Sequence, residues 1–393
     1  MKLRPTVLLY AQSPSGGLAE HLHYQAIELL HKGIHVICVC TPSFLRDGRT
    51  IPYDVRRVLL DDPRDSTQTL VAKIRLASIR IVNQYRLALF IIRERPDLVL
   101  LEATTELLAP FWVWPHLLLR YCLGIKYAAN VHDPVRYRAW GHQWWHRLSV
   151  WLSYLPIEIG LIHHDSIIHR SELPRHINVV PVPYGCYARD GIAADRARIR
   201  TRFGVANSSS VFLSFGYIAD RKNLDLFIRA MPGFPQVVLI AVGQRASRRD
   251  RPASFYQALA REFGVADRVH VIEGFVANSE VADYFAAADV VLLTYNRKFV
   301  SQSGVLLVAA EWQKPVLASS GPGPLREAVA RFQLGPVVEP DSVEALKGGL
   351  QKLLSNHQTL PNWSEFVKQE SWERNVEALL KAANLSCVSS RES

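Results

Sequence analysis

Four short segments of the chain carry residue types that handle anions, protons or sugar hydroxyls. Ser15-Gly16-Gly17 follows an apolar run, Thr6 to Ala11, and precedes a helical pattern. Glycines between a strand and a helix N-terminus let backbone N–H groups approach an anion closely. The same residues also make a plain tight turn, and they are not the full dinucleotide fingerprint. His132-Asp133-Pro134 ends another strand-like run. A histidine there can hydrogen-bond a sugar hydroxyl or move a proton, while Asp-Pro is equally a turn dipeptide. Gly216-Tyr217-Ile218-Ala219-Asp220-Arg221-Lys222 closes a third strand. Arg221 brings a planar fork and Lys222 a point charge, and together they suit a diphosphate; the plainer alternative is a solvated charge pair. Gln302-Ser303-Gly304 opens an apolar helix, Val305 to Ala310. Its first N–H groups face an anion, or Ser303 simply caps it.

These segments sit on an alternating background. Thr6 to Ala11, Ile34 to Cys40, Leu98 to Leu101, Tyr127 to Val131, Ser166 to Ile168 and Asn178 to Val182 read as strands with helical patterns among them. Strand, glycine turn, helix, strand is the βαβ unit of a parallel sheet. Arg189 to Arg202 is a linker entering a helix. The alternation restarts with Val211 to Phe215, Val237 to Val242, Val269 to Ile272, Val290 to Leu293 and Pro315 to Ala318. Two successive βα halves predict two doubly wound lobes, with ligands outside the carboxyl ends of the strands. Trp363 to Ala383 is helical and has no strand of its own, which suits a helix that crosses back to the first lobe. The expected boundaries are 1–190, 191–358 and 359–393.

Composition excludes several classes. Hydrophobic residues at 49% and charged residues at 21% describe a globular protein rather than a disordered one. The five cysteines are scattered, with no zinc or disulfide spacing, and fit a reducing, cytosolic compartment. Leu107 to Leu119 is the most apolar long stretch, but two prolines and a histidine interrupt it. It falls short of the roughly 20 residues a spanning helix needs. A net charge of +10 favours polyanions or anionic membranes without choosing between them, or marks a merely soluble basic protein. Three tryptophans lie among basic residues in Arg136 to Arg147, which suits peripheral contact with a membrane interface, a sugar shelf or ordinary packing. No metal-binding helix, nucleophile elbow or P-loop consensus is present, so no metal site is expected. His163, His164 and His169 read as structural histidines.

Taken together, the segments resemble the family-4 retaining glycosyltransferases with the GT-B fold, over nearly the whole chain. SGGLAEHLHYQAIELLHKGIHV looks like that family's opening turn and helix, NVHDP like its first-lobe histidine, and SFGYIADRKNLDLFIRAM like its Gly-loop-Lys segment. The run VIEGFVANSEVADYFAAADVVLLTYNRKFVSQSGVLLVAAEWQKPVLAS is the most specific match, and SWERNVEALL resembles the crossing helix. Many members carry two glutamates where this chain has Val300 and Val308, a glycine where it has Gln313, and an arginine where it has Tyr217. A subgroup with a QSG-type turn is closer.

The resemblance implies two Rossmann-like lobes facing a cleft. Arg221 and Lys222 would hold a donor diphosphate, with Gly216 in the same loop. Gln302, Ser303 and Gly304 would lie against the phosphates and sugar. Gly16 and Gly17 would sit close to the donor, and His132 would contact the sugar. The implied activity is transfer of a sugar from a nucleotide diphosphate to a saccharide or lipid-linked acceptor. The expected location is cytoplasmic, peripheral at the inner membrane face, with no cofactor beyond the donor and no nucleic acid partner. A catalytically silent accessory subunit and a sugar-nucleotide epimerase are the alternatives.

Overall fold

The computed structural model describes residues 4–46, 48–63, 69–102, 105–132, 142–163, 173–186, 194–355 and 361–386. Asp133-Pro134, positions 136–141, His164, His169, the expected strand at 166–168, the start of the 189–202 linker and Cys387 lie outside them. The chain divides into two compact units. The first comprises Met1–Gly185 and Glu370–Ser393, and the second Cys186–Gln369.

The first unit is built on a parallel sheet of seven strands: β1 Thr6–Ala11, β2 His35–Cys40, β3 Asp54–Arg56, β4 Leu98–Leu101, β5 Lys126–Val131, β6 Ile159–Ile162 and β7 Asn178–Pro181. Their order is β3-β2-β1-β4-β5-β6-β7. Strand side chains alternate between faces, and β1 shows it directly. Val7, Leu9 and Ala11 enter one apolar core, Leu8 and Tyr10 another. Both faces are therefore covered, as a parallel sheet requires. The helices are α1 Gly17–His31, α2 Leu70–Glu94, α3 Ala109–Leu123 and α4 Gln143–Tyr154. The apolar stretch at 107–119 is largely α3. Among the described residues no helix is long and apolar enough to cross a membrane.

The second unit repeats the plan with five parallel strands: β8 Ser210–Phe215, β9 Val237–Gly243, β10 Val269–Glu273, β11 Val290–Thr294 and β12 Val316–Ser319. Their order is β10-β9-β8-β11-β12. The strand order reverses between β1 and β4 in one sheet and between β8 and β11 in the other. In folds of this kind ligands bind outside the carboxyl ends of the strands at such a reversal.

The C-terminal helical pattern resolves into two helices. Trp363–Gln369 belongs to the second unit and Trp372–Ala382 to the first. Ser371 starts the latter by accepting a hydrogen bond from the Arg374 N–H. That helix docks on α1. Val376, Leu379 and Leu380 join the core of the first sheet, and Lys32 pairs with Glu373 and Glu377 at 3.0 and 2.7 Å. The expected boundaries at 190 and 358 thus compare with 185 and 369.

Asn375 anchors this docking from the interior, where it is fully buried. It accepts from Gln25 Nε2 at 2.8 Å and donates to the Pro183 carbonyl at 2.6 Å. Asn375→Ala leaves a buried donor and a buried acceptor unpaired, each costing about 1–3 kcal/mol. Urea unfolding should show a loss of about 2–6 kcal/mol, with secondary structure retained in native buffer.

Candidate functional site

In the second unit, the loop after β8 begins at Gly216, whose φ of 84° is a left-handed value that glycine adopts without steric cost. The turn brings Lys222 back over the strand end. Its Nζ donates to the Phe215 carbonyl at 2.5 Å, and the residue is buried. Among the described residues no carboxylate pairs with that ammonium. Burial, and then the neighbouring Arg221 charge, push its pKa down to about 7. Arg221 itself is exposed, and its charge also acts on Asp250 and Tyr295.

The loop after β11 is tied to the loop after β8. Thr294 Oγ1 donates to the Lys222 carbonyl at 2.9 Å, and the Asn296 N–H to the Arg221 carbonyl at 2.8 Å. The 302–304 turn then enters the helix Gly304–Glu311. Ser303 occupies its cap position but makes no side-chain cap bond; its hydroxyl meets the Tyr295 hydroxyl at 2.9 Å. Gln302 Oε1 accepts from the Ser303 N–H at 3.1 Å. A Cβ built on Gly216 would lie 3.8 Å from Lys222 Nζ and 3.9 Å from Val305 Cγ2. The two loops expected to grip phosphates therefore meet. A buried cation and the positive end of a helix dipole converge beside an open glycine.

Val300 and Val308 are half-buried. Val300 lies under the turn after β12, where Gly321 and Gly323 leave no room for a Cβ. That turn starts the helix Pro324–Arg331, a further helix N-terminus at the strand ends that sequence reasoning missed. The dipeptide Gly-Pro around it was the available signal. Gln313 holds φ at 48°, which explains why glycine suits that position in the family it resembles.

In the first unit, Gly16 has φ 83° and leads into α1, and neither Gly16 nor Gly17 has an atom within 4 Å of a built Cβ. One helical turn on, His21 is fully buried and meets three residues at the strand ends. Glu102, just after β4, is buried at 3% exposure. It accepts from His132 Nε2 and from Asn130 Nδ2, both at 2.7 Å. His21 Nδ1 lies 3.3 Å from its Oε1. His163 Nε2 lies 3.2 Å from His132 Nδ1.

Burial alone would raise the Glu102 carboxyl, but His21 and His132 outweigh it and hold it down at about 2. Burial lowers the pKa of both His21 and His163, and for His21 it outweighs the upward pull of Glu102. His132 thus faces the strand ends as expected, yet both its nitrogens already have protein partners. Glu102, His21 and His163 were missed by sequence reasoning; Glu102 carried the signal of an acidic residue directly after a strand.

Residues 195–370 match the family model described as glycosyl transferases group 1. A D-inositol 3-phosphate glycosyltransferase of Xylanimonas cellulosilytica is 34% identical over 151 residues, covering 37% of this chain and 34% of the relative. The alpha-galactosylglucosyldiacylglycerol synthase of Streptococcus pneumoniae is 23% identical over 192 residues, 44% of this chain and 50% of the relative. The chain thus spans about a third to a half of the length of these curated relatives. Among solved structures, Anabaena HepE in complex with UDP and glucose superposes with a TM-score of 0.72 at 17% identity, covering 97% of this chain and 100% of that one. WaaG, a glycosyltransferase involved in lipopolysaccharide biosynthesis, gives 0.61 at 21% identity, covering 96% and 98%. At these identities the likeness speaks to the fold, which is that of paired Rossmann-like domains.

The Lys222 environment makes a ligand-free prediction. A lysine whose folded pKa lies below its unfolded value of 10.5 destabilises the fold fully below pH about 7, and the deficit disappears as pH rises toward 10.5. Lys222→Met should therefore stabilise the ligand-free protein below pH 7, by up to about 5 kcal/mol. The gain should shrink steadily toward alkaline pH. Denaturant unfolding of both proteins at pH 6.5 and at pH 9.5 checks the sign.

Proposed function

We propose that the chain, whose residues 195–370 carry a glycosyl transferases group 1 domain, moves a sugar from a nucleoside diphosphate to a saccharide or lipid-linked acceptor. The observation that carries this reading is Lys222, a buried ammonium with no carboxylate partner among the described residues, set beside the start of the helix Gly304–Glu311. A diphosphate supplies the charge the site lacks. Arg221 adds a second cation from the exposed side of the loop. As the bond from the anomeric carbon to the diphosphate breaks, negative charge builds on the leaving oxygen, and these fixed groups stabilise it there. The acceptor hydroxyl enters on the same face and gives its proton to the departing phosphate, so the configuration is retained. The donor is the only co-substrate this chemistry needs. The glycosyltransferase name of the Xylanimonas relative, and the UDP bound to HepE, support the donor class.

Calorimetry with UDP tests the diphosphate assignment. A bound anion returns Lys222 to its charged form, so binding at pH 8 takes up a proton, and the measured heat varies with the ionisation enthalpy of the buffer. Lys222→Ala should abolish that dependence and weaken binding by about 10- to 100-fold, the worth of one charged hydrogen bond. Unchanged affinity in both Lys222→Ala and Arg221→Ala would sink the assignment.

A lipid-linked acceptor fits the outer face of the first unit. Helices α2 and α3 pack together, as do α3 and α4. Leu89, Phe111, Trp114, Leu118, Trp144 and Trp151 are each at least half exposed on them. The three helices hold Lys73, Arg75, Arg80, Arg86, Arg93, Arg120 and Arg147 against one carboxylate, Glu94. Interfacial aromatics beside an excess of cations suit an anionic bilayer surface. This face reaches the expected segment at its described end, residues 142–147, but most of it comes from α2 and α3. The protein should co-sediment with phosphatidylglycerol vesicles and not with phosphatidylcholine vesicles. Replacing both Trp114 and Trp151 by Ser should lower vesicle binding at least tenfold while UDP affinity holds.

A further inference from the structure

We propose that His21, His132 and His163 bind one divalent transition-metal ion of the zinc class, with Glu102 as the outer carboxylate that orients His132. One ring nitrogen from each histidine lies within 4.8 Å of the others. The ring centroids are 4.8 Å apart for His21 and His132, 5.1 Å for His21 and His163, and 5.1 Å for His132 and His163. Three imidazoles at tetrahedral angles, each with a metal–nitrogen bond of about 2.0–2.1 Å, place their centroids roughly 5 Å apart.

The contact pattern points the same way. Glu102 engages Nε2 of His132 at 2.7 Å, which leaves Nδ1 of that ring for the other histidines. His163 Nε2 faces it at 3.2 Å. The other nitrogen of His163, Nδ1, is buried with no hydrogen-bond partner. His21 adds a second orphan. It is fully buried; Nδ1 lies 3.3 Å from Glu102 Oε1, and Nε2 has no hydrogen-bond partner. A metal ion satisfies lone pairs on all three rings at once.

The surroundings match those of a bound ion. A ligating histidine typically donates its other N–H to a carboxylate, as His132 does. Glu102 is in turn fixed by Asn130, and Asn130 by Gln25 at 2.9 Å. Tyr184 covers His163 with centroids 4.2 Å apart, and Trp372 covers His21 at 4.8 Å. Nitrogen donors favour zinc, cobalt or nickel over magnesium or calcium. The residues come from α1 and from the ends of β5 and β6, so no short sequence spacing could announce them. The ion would tie these three elements together. The inference concerns the first unit alone and stands apart from the diphosphate reading.

The test uses the full chain, stripped with a chelator and titrated with cobalt(II) and with zinc. Expected are one equivalent of cobalt with the intense visible bands of a tetrahedral site, displacement of cobalt by zinc, and a higher melting temperature with zinc bound. His163→Asn and His21→Ala should each lose the bands, and Glu102→Gln should weaken zinc binding by about 10- to 100-fold. His31→Ala, an exposed histidine elsewhere on α1, should behave as wild type. Absence of tetrahedral bands in the wild type overturns the inference and makes the 3.2 Å contact a shared proton. Full binding in folded His163→Asn and His21→Ala overturns it as well. The wild-type spectrum decides even if a variant fails to fold.

Discussion

A cation in a protein interior is tolerated only where something compensates its lost hydration, and at Lys222 that constraint organises the second unit. A carbonyl at the end of β8 is the polar partner the fold supplies. It is a dipole and cannot neutralise the charge, and the depressed pKa registers the shortfall. Everything around the ammonium follows from keeping it in place. Gly216 turns the chain so that Lys222 can reach back over the strand. Thr294 and Asn296 clamp the peptide groups of Arg221 and Lys222 from β11 and its following loop. The strand order brings β8 and β11 together, so the reversal of the sheet and the position of the cation have one origin.

The first unit resolves the same problem with the opposite sign. Glu102 is also buried at a strand end beside a sheet reversal, but there the fold supplies the compensation itself. Asn130 and His132 donate to the carboxylate, and His21 packs beside it. The network continues outward through Gln25 to Asn375 on the returning C-terminal helix. The helix that closes the first sheet is thereby coupled to the residues at its strand ends. Its docking positions the His21 side of the cluster as well as burying Val376 and Leu379.

How much of this the sequence revealed depends on the range over which each signal acts. The strands of β1, β2, β4, β5 and β8 to β12 were legible because parallel strands buried on both faces read as continuous apolar runs. β6 did not stand out because Gly160 breaks its apolar run, whereas the equally short β4 and β12 carry no glycine. The glycine turns and the Arg221-Lys222 pair were legible because strand end, turn and charge are adjacent in the chain. That the loops after β8 and β11 touch, and that Lys222 is buried while Arg221 is not, was not legible, because both depend on how β11 pairs with β8. The histidine cluster was invisible for the same reason, since His21, Glu102, His132 and His163 meet only through the order of the sheet. Ser303 shows a subtler limit. Its residue type predicts a cap, but a tyrosine hydroxyl eight residues earlier captures its side chain.

The burial of Lys222 also bears on whether the fold retains its ligand. Val300 and Val308 stand where the resembling family carries glutamates, and a silent binding subunit was one reading of that change. A scaffold relieved of its donor gains nothing from a desolvated ammonium. An apolar side chain of similar length would fill the same space without the desolvation cost, and buried charges are often replaced in this way with a net gain in stability. The lysine makes sense where an anion regularly occupies the site and repays its burial. The valines speak only to the sugar and ribose hydroxyls, whose contacts are separable from the phosphate grip. Under the proposed function, with no carboxylate at either position and the cationic site intact, the phosphates would dominate donor recognition. Selectivity among sugars would then fall to the neutral donors and acceptors nearby, Gln302 and the backbone of the glycine turn after β12 among them.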